Sequence, residues 1–519
     1  MKSISNPHVS RQGDKSLNHS KAIALAAMCL ALFMATLDDT VMNVALPQIQ
    51  SSFAAPVSGL QWILNAYILP IACLVLPSGR LGDIYGRKRV FLVGLILFTV
   101  ASLLSGLAIN LPMLIGGRIL QGIGAAALIP GSLAIVAEMF PEPKEQAKAI
   151  GFWTAVSGLA LLAGPVLGGV LVDTLGWQSV FLLNLPLGMV TFGLTLRFVR
   201  LSTQPTRQRL DLLGMALSIV LLASLASALT EGGEQSVWLM AIAGLSLVAF
   251  LGVESRVRHP MLPLNLFRDV TFSVVSIVNT LLFFTLVSSL FIFSLFLQQV
   301  QGYSASEAGM RFLPLNAAFV LASLLSGWLA ARLGLRFTIA AGLILAGAAT
   351  LSFVHIRPDA EYSQIAWKLM LSGFGGGLTL SPLASAAMAV TPASQAGITA
   401  AILNTTTRLG GVLGIALQGT LLTQQLASML SQKLSAWELS PELQDKIVAK
   451  ALHNMTEVDL AEVTQSLPTN IPAEALQHAI QISFVSGLHL AAMVGGLVLL
   501  VGAALILWVA SPTALKASR

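Results

Sequence analysis

Along most of the chain, stretches of predominantly apolar residues alternate with short polar connections. A hydrocarbon core about 30 Å thick takes roughly 20 apolar residues per crossing helix. By that measure the pattern predicts spans near 21–46, 60–79, 89–109, 112–138, 148–172 and 178–199. A pair follows near 210–230 and 237–254, then six more near 270–299, 306–331, 337–355, 365–390, 394–424 and 482–511. The reading is an all-α membrane protein with fourteen spans.

A second pattern divides these spans into halves. The turn Gly79-Arg80-Leu81-Gly82-Asp83-Ile84-Tyr85-Gly86-Arg87-Lys88-Arg89 returns, degraded, as Gly327-Trp328-Leu329-Ala330-Ala331-Arg332-Leu333-Gly334-Leu335-Arg336. In both copies a glycine ends one apolar segment, a second glycine lies seven residues on, and basic residues flank it. The first copy follows span 2 and the second follows span 10. Internal repeats of this kind mark secondary transporters, and an offset of eight spans leaves an extra helix pair between two bundles of six. The expected division is a tail 1–20, a first bundle 21–200, an inserted pair with basic linkers 201–269, a second bundle 270–511 and a tail 512–519. An outer loop 425–481 lies within the second bundle. Ser440-Pro441-Glu442 and Ile471-Pro472-Ala473-Glu474 look like helix starts, so this loop is expected to form a helical hairpin.

Composition excludes a soluble domain. Of 519 residues, 55% are hydrophobic and 10% charged, against about 25% charged in soluble proteins, and the mean hydropathy is +0.81. The net charge of +6 resolves into a topology signal. With the N-terminus inside, most lysines and arginines fall in cytoplasmic connections, leaving Arg357, Lys368, Lys433, Lys446 and Lys450 outside. Both termini are therefore expected in the cytosol, in a multi-pass protein of the cytoplasmic membrane, with no nucleic-acid partner. The first 20 residues lack a short apolar stretch with a small-residue cleavage site. Cys29 and Cys73 lie in apolar runs and suggest neither a disulfide framework nor a metal site. There is no phosphate-binding loop and no nucleophile–base spacing, so neither an enzyme, an ATP-driven pump nor a cofactor is expected.

Charges inside spans cost about 2.5–3.5 kcal/mol each on the lenient insertion scale. Span 1 holds Asp38 and Asp39, and span 4 holds Arg118. At about 1.5 Å per residue, Asp38 and Arg118 come out at the same depth and can meet. Successive residues turn about 100° around a helix, so one acid at most faces Arg118 squarely. Asp38 is preferred, which leaves Asp39 as an uncompensated acid. The pair serves either as a fixed packing contact or as a carboxylate whose protonation is linked to substrate. Arg408, mid-span 13, is a further candidate for the cavity wall or for structural hydrogen bonding. Glu307 and Arg311 are spaced to pair at i, i+4. Phe283, Phe284, Phe291, Phe293 and Phe296 either offer faces to a cation or pack, and Gln61, Asn65 and Tyr67 offer polar groups.

Four strings together resemble the fourteen-helix drug:proton antiporters of the major facilitator superfamily. They are Leu37-Asp38-Asp39-Thr40-Val41-Met42-Asn43-Val44-Ala45-Leu46-Pro47, the loop Gly79–Arg89, Arg118-Ile119-Leu120-Gln121-Gly122-Ile123-Gly124-Ala125-Ala126, and Gly164-Pro165-Val166-Leu167-Gly168-Gly169. Ile84 departs from the basic residue usual in the loop motif, and Ala331 stands in the second copy where the first has Asp83. The resemblance implies a monomeric major facilitator fold exporting amphipathic, often cationic drugs against protons. Asp38, Asp39, Arg118 and Arg408 would be the proton and substrate site, and Gly79, Asp83, Gly86, Arg87 and Lys88 a gating loop. Gly164, Pro165, Gly168 and Gly169 would be the hinge and seal of an antiporter. An exporter of an endogenous metabolite or antibiotic, an uptake symporter and a non-transporting receptor are the rival readings.

Overall fold

The computed structural model describes residues 7–199, 211–231, 233–257, 260–392, 395–437, 439–453 and 472–509, with side chains from Ser20 onward except at 233, 234 and 453. It is helical throughout, with no strand among the described residues. The first group is α1 (Pro7–Phe53), α2 (Val57–Tyr85), α3 (Arg87–Gly106), α4 (Leu111–Met139), α5 (Pro143–Leu175), α6 (Gln178–Leu182) and α7 (Asn184–Phe198). Then come α8 (Leu212–Glu231) and α9 (Gly233–Glu254). The last group is α10 (Val270–Leu295), α11 (Ala305–Arg311), α12 (Leu313–Leu333), α13 (Leu335–Ser352), α14 (Tyr362–Ala389), α15 (Ala396–Ser435), α16 (Pro441–His453) and α17 (Ala473–Val509).

Among the described residues, thirteen helical segments are long and apolar enough to cross a membrane. Two of these combine short helices, α6 with α7 and α11 with α12, and a third extends α10 through a π turn at Phe296–Val300. The fourteenth expected span is α14, which falls outside that set. Gly373, Gly375, Gly376, Gly377, Ser381 and Pro382 dilute its apolarity, and the same glycines let it lie flush against neighbours. A Cβ at Gly373 would stand 2.1 Å from Leu315 O of α12, and one at Gly375 2.5 Å from Ala346 N of α13. Close glycine-mediated contact replaces apolar bulk here.

The repeat seen in the sequence has a backbone counterpart. Gly86 (φ +96°) is the sole residue between α2 and α3, and Gly334 (φ +86°) the sole residue between α12 and α13. Reversing a chain in one residue needs a positive φ, which glycine takes without a Cβ penalty.

Within the first group α1 packs on α5 and α7, and α4 on α2 and α3; within the last, α10 packs on α15 and α17, and α14 on α12 and α13. The groups meet where α2 crosses α15, α5 crosses α11 and α1 crosses α10. The pair α8–α9 leans on α2 and α15 through α8. The ends carrying Arg80, Arg87 and Lys88 lie beside Glu138 at the end of α4, Val199 after α7 and Pro260 before α10. We call that side the basic face and the other the far face.

Several expectations are corrected. The helical backbone of α1 continues back to Pro7, into the stretch read as a tail. Instead of a loop from 425, α15 runs on to Ser435. α16 does begin at Pro441, but the second expected hairpin helix is the far-face extension of the last span, since Ala473 opens α17 without a break; residues 454–471 lie outside the described residues. Glu307 and Arg311 do not pair. Glu307 instead accepts from Ser304 N at 3.0 Å in a capping box, and Arg311 donates to Glu307 O at 3.1 Å and stacks 3.4 Å over Tyr303. Phe291, Phe293 and Phe296 are core residues, with Phe293 against Phe353 at 4.3 Å.

Candidate functional site

The two adjacent acids of α1 face different partners. Asp38 turns into the first group and forms an ion pair with Arg118 in which both side chains are sealed, at 0% and 1% exposure. Its other oxygen accepts from Gln121 Nε2 at 3.2 Å and Asn184 Nδ2 at 3.1 Å. Ser102 Oγ stands 2.7 Å from Gln121 Nε2 and 3.3 Å from Asn184 Nδ2. Arg118 is held from the remaining sides by Ile63 O (3.3 Å), Gln121 Oε1 (3.1 Å) and the face of Tyr67 (4.2 Å to the ring centre). A carboxylate with three donors and a guanidinium with two further acceptors form a closed network, as burial of charge demands. It ties α1, α3, α4 and α7 together.

Asp39, one residue on, points across to the last group. Arg408 Nη1 of α15 lies 2.5 Å from Asp39 Oδ2, with 26% of the Asp39 side chain and 20% of the Arg408 side chain exposed. Asp39 is therefore not the uncompensated acid expected from the sequence. A cation partner 369 positions away is invisible to periodicity. This second pair is reachable from solvent and joins the two groups, whereas the first is sealed within one.

From this level to the far face the groups are stitched together, and prolines supply acceptors for the stitches. A proline in a helix lacks the N–H that would bond the carbonyl four residues earlier. Pro47 thus frees Asn43 O, which accepts from Ser294 Oγ of α10 at 2.5 Å. Pro165 frees Leu161 O, which accepts from Asn316 Nδ2 of α12 at 3.1 Å. Gln61 Nε2 bonds Ile415 O (2.7 Å) and Ala416 O (3.0 Å), and Gln298 Nε2 bonds Val44 O at 3.2 Å. Asp173 accepts from Ala305 N (3.1 Å) and from Ser306 N (2.9 Å) and Oγ (2.5 Å) at the start of α11.

The glycines of α5 permit this approach. A Cβ at Gly169 would stand 2.4 Å from Ala305 O, and one at Gly309 would stand 2.1 Å from Pro165 O. Gly164 and Gly168 press instead on Thr40 and Val41 of α1, at 1.9 and 2.6 Å from the same imagined atom. Towards the basic face the helix stands clear, since Gly151 and Gly158 have nothing within 4 Å. The described hydrogen bonds between α1–α7 and α10–α17 lie between the Asp39 level and the far face; at the basic face Arg80 reaches Pro260 O, on the segment before α10.

At the basic face Arg87 bridges Asp83 (3.2 Å), Glu138 (3.5 Å) and Ala134 O (3.2 Å), binding the α2–α3 turn to α4. Lys88 Nζ caps the end of α7 through Leu196 O (3.0 Å) and Val199 O (2.5 Å), where a cation offsets the helix dipole. Gly79 has open space around it. Arg80, at the start of the loop, reaches Pro260 O on the segment before α10. Ser102, Asn184, Ser294, Asn316 and Asp173 were missed in the sequence. Single polar residues in apolar runs carry no period, although a proline four residues after a carbonyl does signal a free acceptor.

The model of the Major Facilitator Superfamily matches residues 28–415. The chain belongs to that superfamily. Multidrug resistance protein Stp of Mycobacterium tuberculosis (strain ATCC 25618 / H37Rv) is 35% identical over 491 residues, covering 92% of this chain and 90% of Stp. The Tetracenomycin C resistance and export protein of Streptomyces glaucescens is 30% identical over 493 residues, covering 93% and 90%. The Methylenomycin A resistance protein of Bacillus subtilis (strain 168) is 36% identical over 410 residues, covering 77% and 87%. Among solved structures, a bacterial homolog of the human lysosomal transporter Spinster, inward-facing and unoccupied, superposes with a TM-score of 0.66 at 18% identity, over 95% of this chain and 99% of that one. As a superfamily member the chain is a multi-pass membrane transporter of small molecules and not an enzyme.

Proposed function

We propose that this transporter exports amphipathic drugs or antibiotics from the cytosol in exchange for protons, by alternating access between the α1–α7 and α10–α17 groups with α8–α9 inserted between them. The excess of basic residues at one face makes that face cytoplasmic, so a bundle stitched at the far face stands open to the cell interior. The observation that carries the reading is the Asp39–Arg408 pair, which crosses between the groups and stays partly exposed. Asp39 has two ways to leave Arg408: it takes up a proton, or it pairs with a substrate. Either changes what holds the groups together at mid-depth, and the two compete for one carboxylate. The sealed Asp38–Arg118 network acts as the fixed anchor that aims α1, and the far-face stitches are the gate that must open for release.

Drug or antibiotic as substrate class rests on the names of the relatives. Export of one particular antibiotic is the second reading, favoured by the relative named for resistance to and export of Tetracenomycin C. Inside-out vesicles carrying the protein test the primary proposal. A lipophilic dye should accumulate when the interior is acidified and leak back when an uncoupler collapses the gradient; accumulation indifferent to the uncoupler would count against it.

A further inference from the structure

The second copy of the basic turn keeps its cations and lacks the acids that neutralise the first. In the first copy Arg87 pairs with Asp83 and with Glu138 at the end of α4, and Lys88 caps α7. In the second, Ala331 stands at the place of Asp83. The helix α14 packs on α12 and α13 as α4 packs on α2 and α3, yet it ends in Ser385-Ala386-Ala387-Met388-Ala389 without an acid. No Asp or Glu occurs between Glu307 and Asp359, nor anywhere along α14. Two arginines remain, Arg332 in the last turn of α12 and Arg336 in the first turn of α13. Neither forms an ion pair among the described residues, and Nε of Arg336 is buried with no hydrogen-bond partner.

The surroundings of these arginines are aromatic and open. Trp328, one turn before Arg332, is 56% exposed, and the Arg332 guanidinium lies 4.0 Å over its ring. Phe337, beside Arg336, is exposed as well, with that guanidinium 5.7 Å from its ring centre. Leu321 and Leu324 continue the exposed apolar face along α12. A Cβ at Gly327 or Gly334 would meet nothing within 4 Å. A tryptophan at the end of an apolar stripe sits at the level of the lipid headgroups. A guanidinium laid flat on its ring keeps its N–H edge free, and that edge matches phosphate oxygens. A zwitterionic headgroup brings a cation of its own, which two unpaired arginines repel. An anionic headgroup brings none.

We propose that Arg332 and Arg336, with Trp328 as their platform, bind the phosphate of an anionic phospholipid at the α12–α13 turn. The lipid supplies the negative charge that Asp83 and Glu138 supply at the α2–α3 turn. The two copies of the turn are thereby fixed in different ways: the first to helices of its own group, the second to the headgroup layer. The site lies on the outer surface of the last group, apart from the mid-bundle pairs, and does not depend on what the transporter carries.

The test is quenching of Trp328 fluorescence by brominated lipids, with the full-length protein in phosphatidylcholine vesicles and the W328F signal subtracted as background. Brominated phosphatidylglycerol should reach Trp328 in preference to brominated phosphatidylcholine, by about five-fold for each arginine. R332Q/R336Q should abolish that preference while brominated phosphatidylcholine still quenches to the wild-type extent, which shows that the hairpin is folded. Trp238, 74% exposed on α9 and read in the same way through W238F, should show no preference. Equal quenching by the two lipids in wild type, a preference that survives in R332Q/R336Q, or the same preference at Trp238 overturns the proposal. Relief of the preference by inorganic phosphate at constant ionic strength overturns it in favour of a soluble anion.

Discussion

Asn316 of α12 donates its side-chain amide to the Leu161 carbonyl of α5, 3.1 Å away, and that carbonyl is free because Pro165 has no N–H to give it. The glycine–proline string thus does more than thin a helix. It exposes an acceptor on one group of helices at the place where the other group comes closest, and Pro47 with Asn43 and Ser294 repeats the device on α1.

Removing such a bond weakens the far-face seal. A single hydrogen bond contributes about 0.5–1.5 kcal/mol, so N316A should shift the equilibrium towards the outward-open form by up to about tenfold. P165A restores the donor to Leu161 O and takes the acceptor from Asn316. The double variant should therefore shift the equilibrium no further than N316A alone. Spin-label distances between the far-face ends of α5 and α11 read this; fully additive shifts would show that the proline acts by bending alone.

The two acids of α1 should respond differently to neutralisation. D38N leaves Arg118 as a buried, uncompensated cation, and breaking a buried pair costs about 3–5 kcal/mol, so the variant should express poorly or melt well below wild type. D39N breaks a partly exposed pair and should melt close to wild type while losing driven transport. Thermal unfolding of both in detergent decides between these roles. A stable, transport-deficient D38N would return the coupling role to Asp38.

That contrast marks where sequence reasoning stopped. The spans, the halves and the inserted pair were legible because apolar length and a repeated cationic turn are local signals. The Asp38–Arg118 contact was legible because depth along a helix can be counted. The Arg408 partner of Asp39 was not, since the pairing depends on how two separately folded groups dock. The same holds for Asp173, whose carboxylate acts at the start of α11 in the other group. Loop 425–481 was misjudged because polar residues end a span at the membrane surface without ending the helix.

Arg408 should tune substrate charge. While it pairs with Asp39 the site is neutral, and a cation enters only by displacing it. R408Q frees the carboxylate, so monovalent lipophilic cations should bind several-fold more tightly and neutral dyes about as before. Equilibrium binding of one cationic and one neutral dye measures this. Equal changes for both would remove Asp39 from the substrate's path.

The exchange at Asp39 is tested most directly by following protons and substrate together in proteoliposomes with a pH-sensitive dye inside. Wild type should move protons one way as substrate moves the other, in a fixed ratio. D39N should let substrate run down its own gradient with no accompanying proton movement. Proton movement that persists with substrate in D39N at the wild-type ratio would contradict the account.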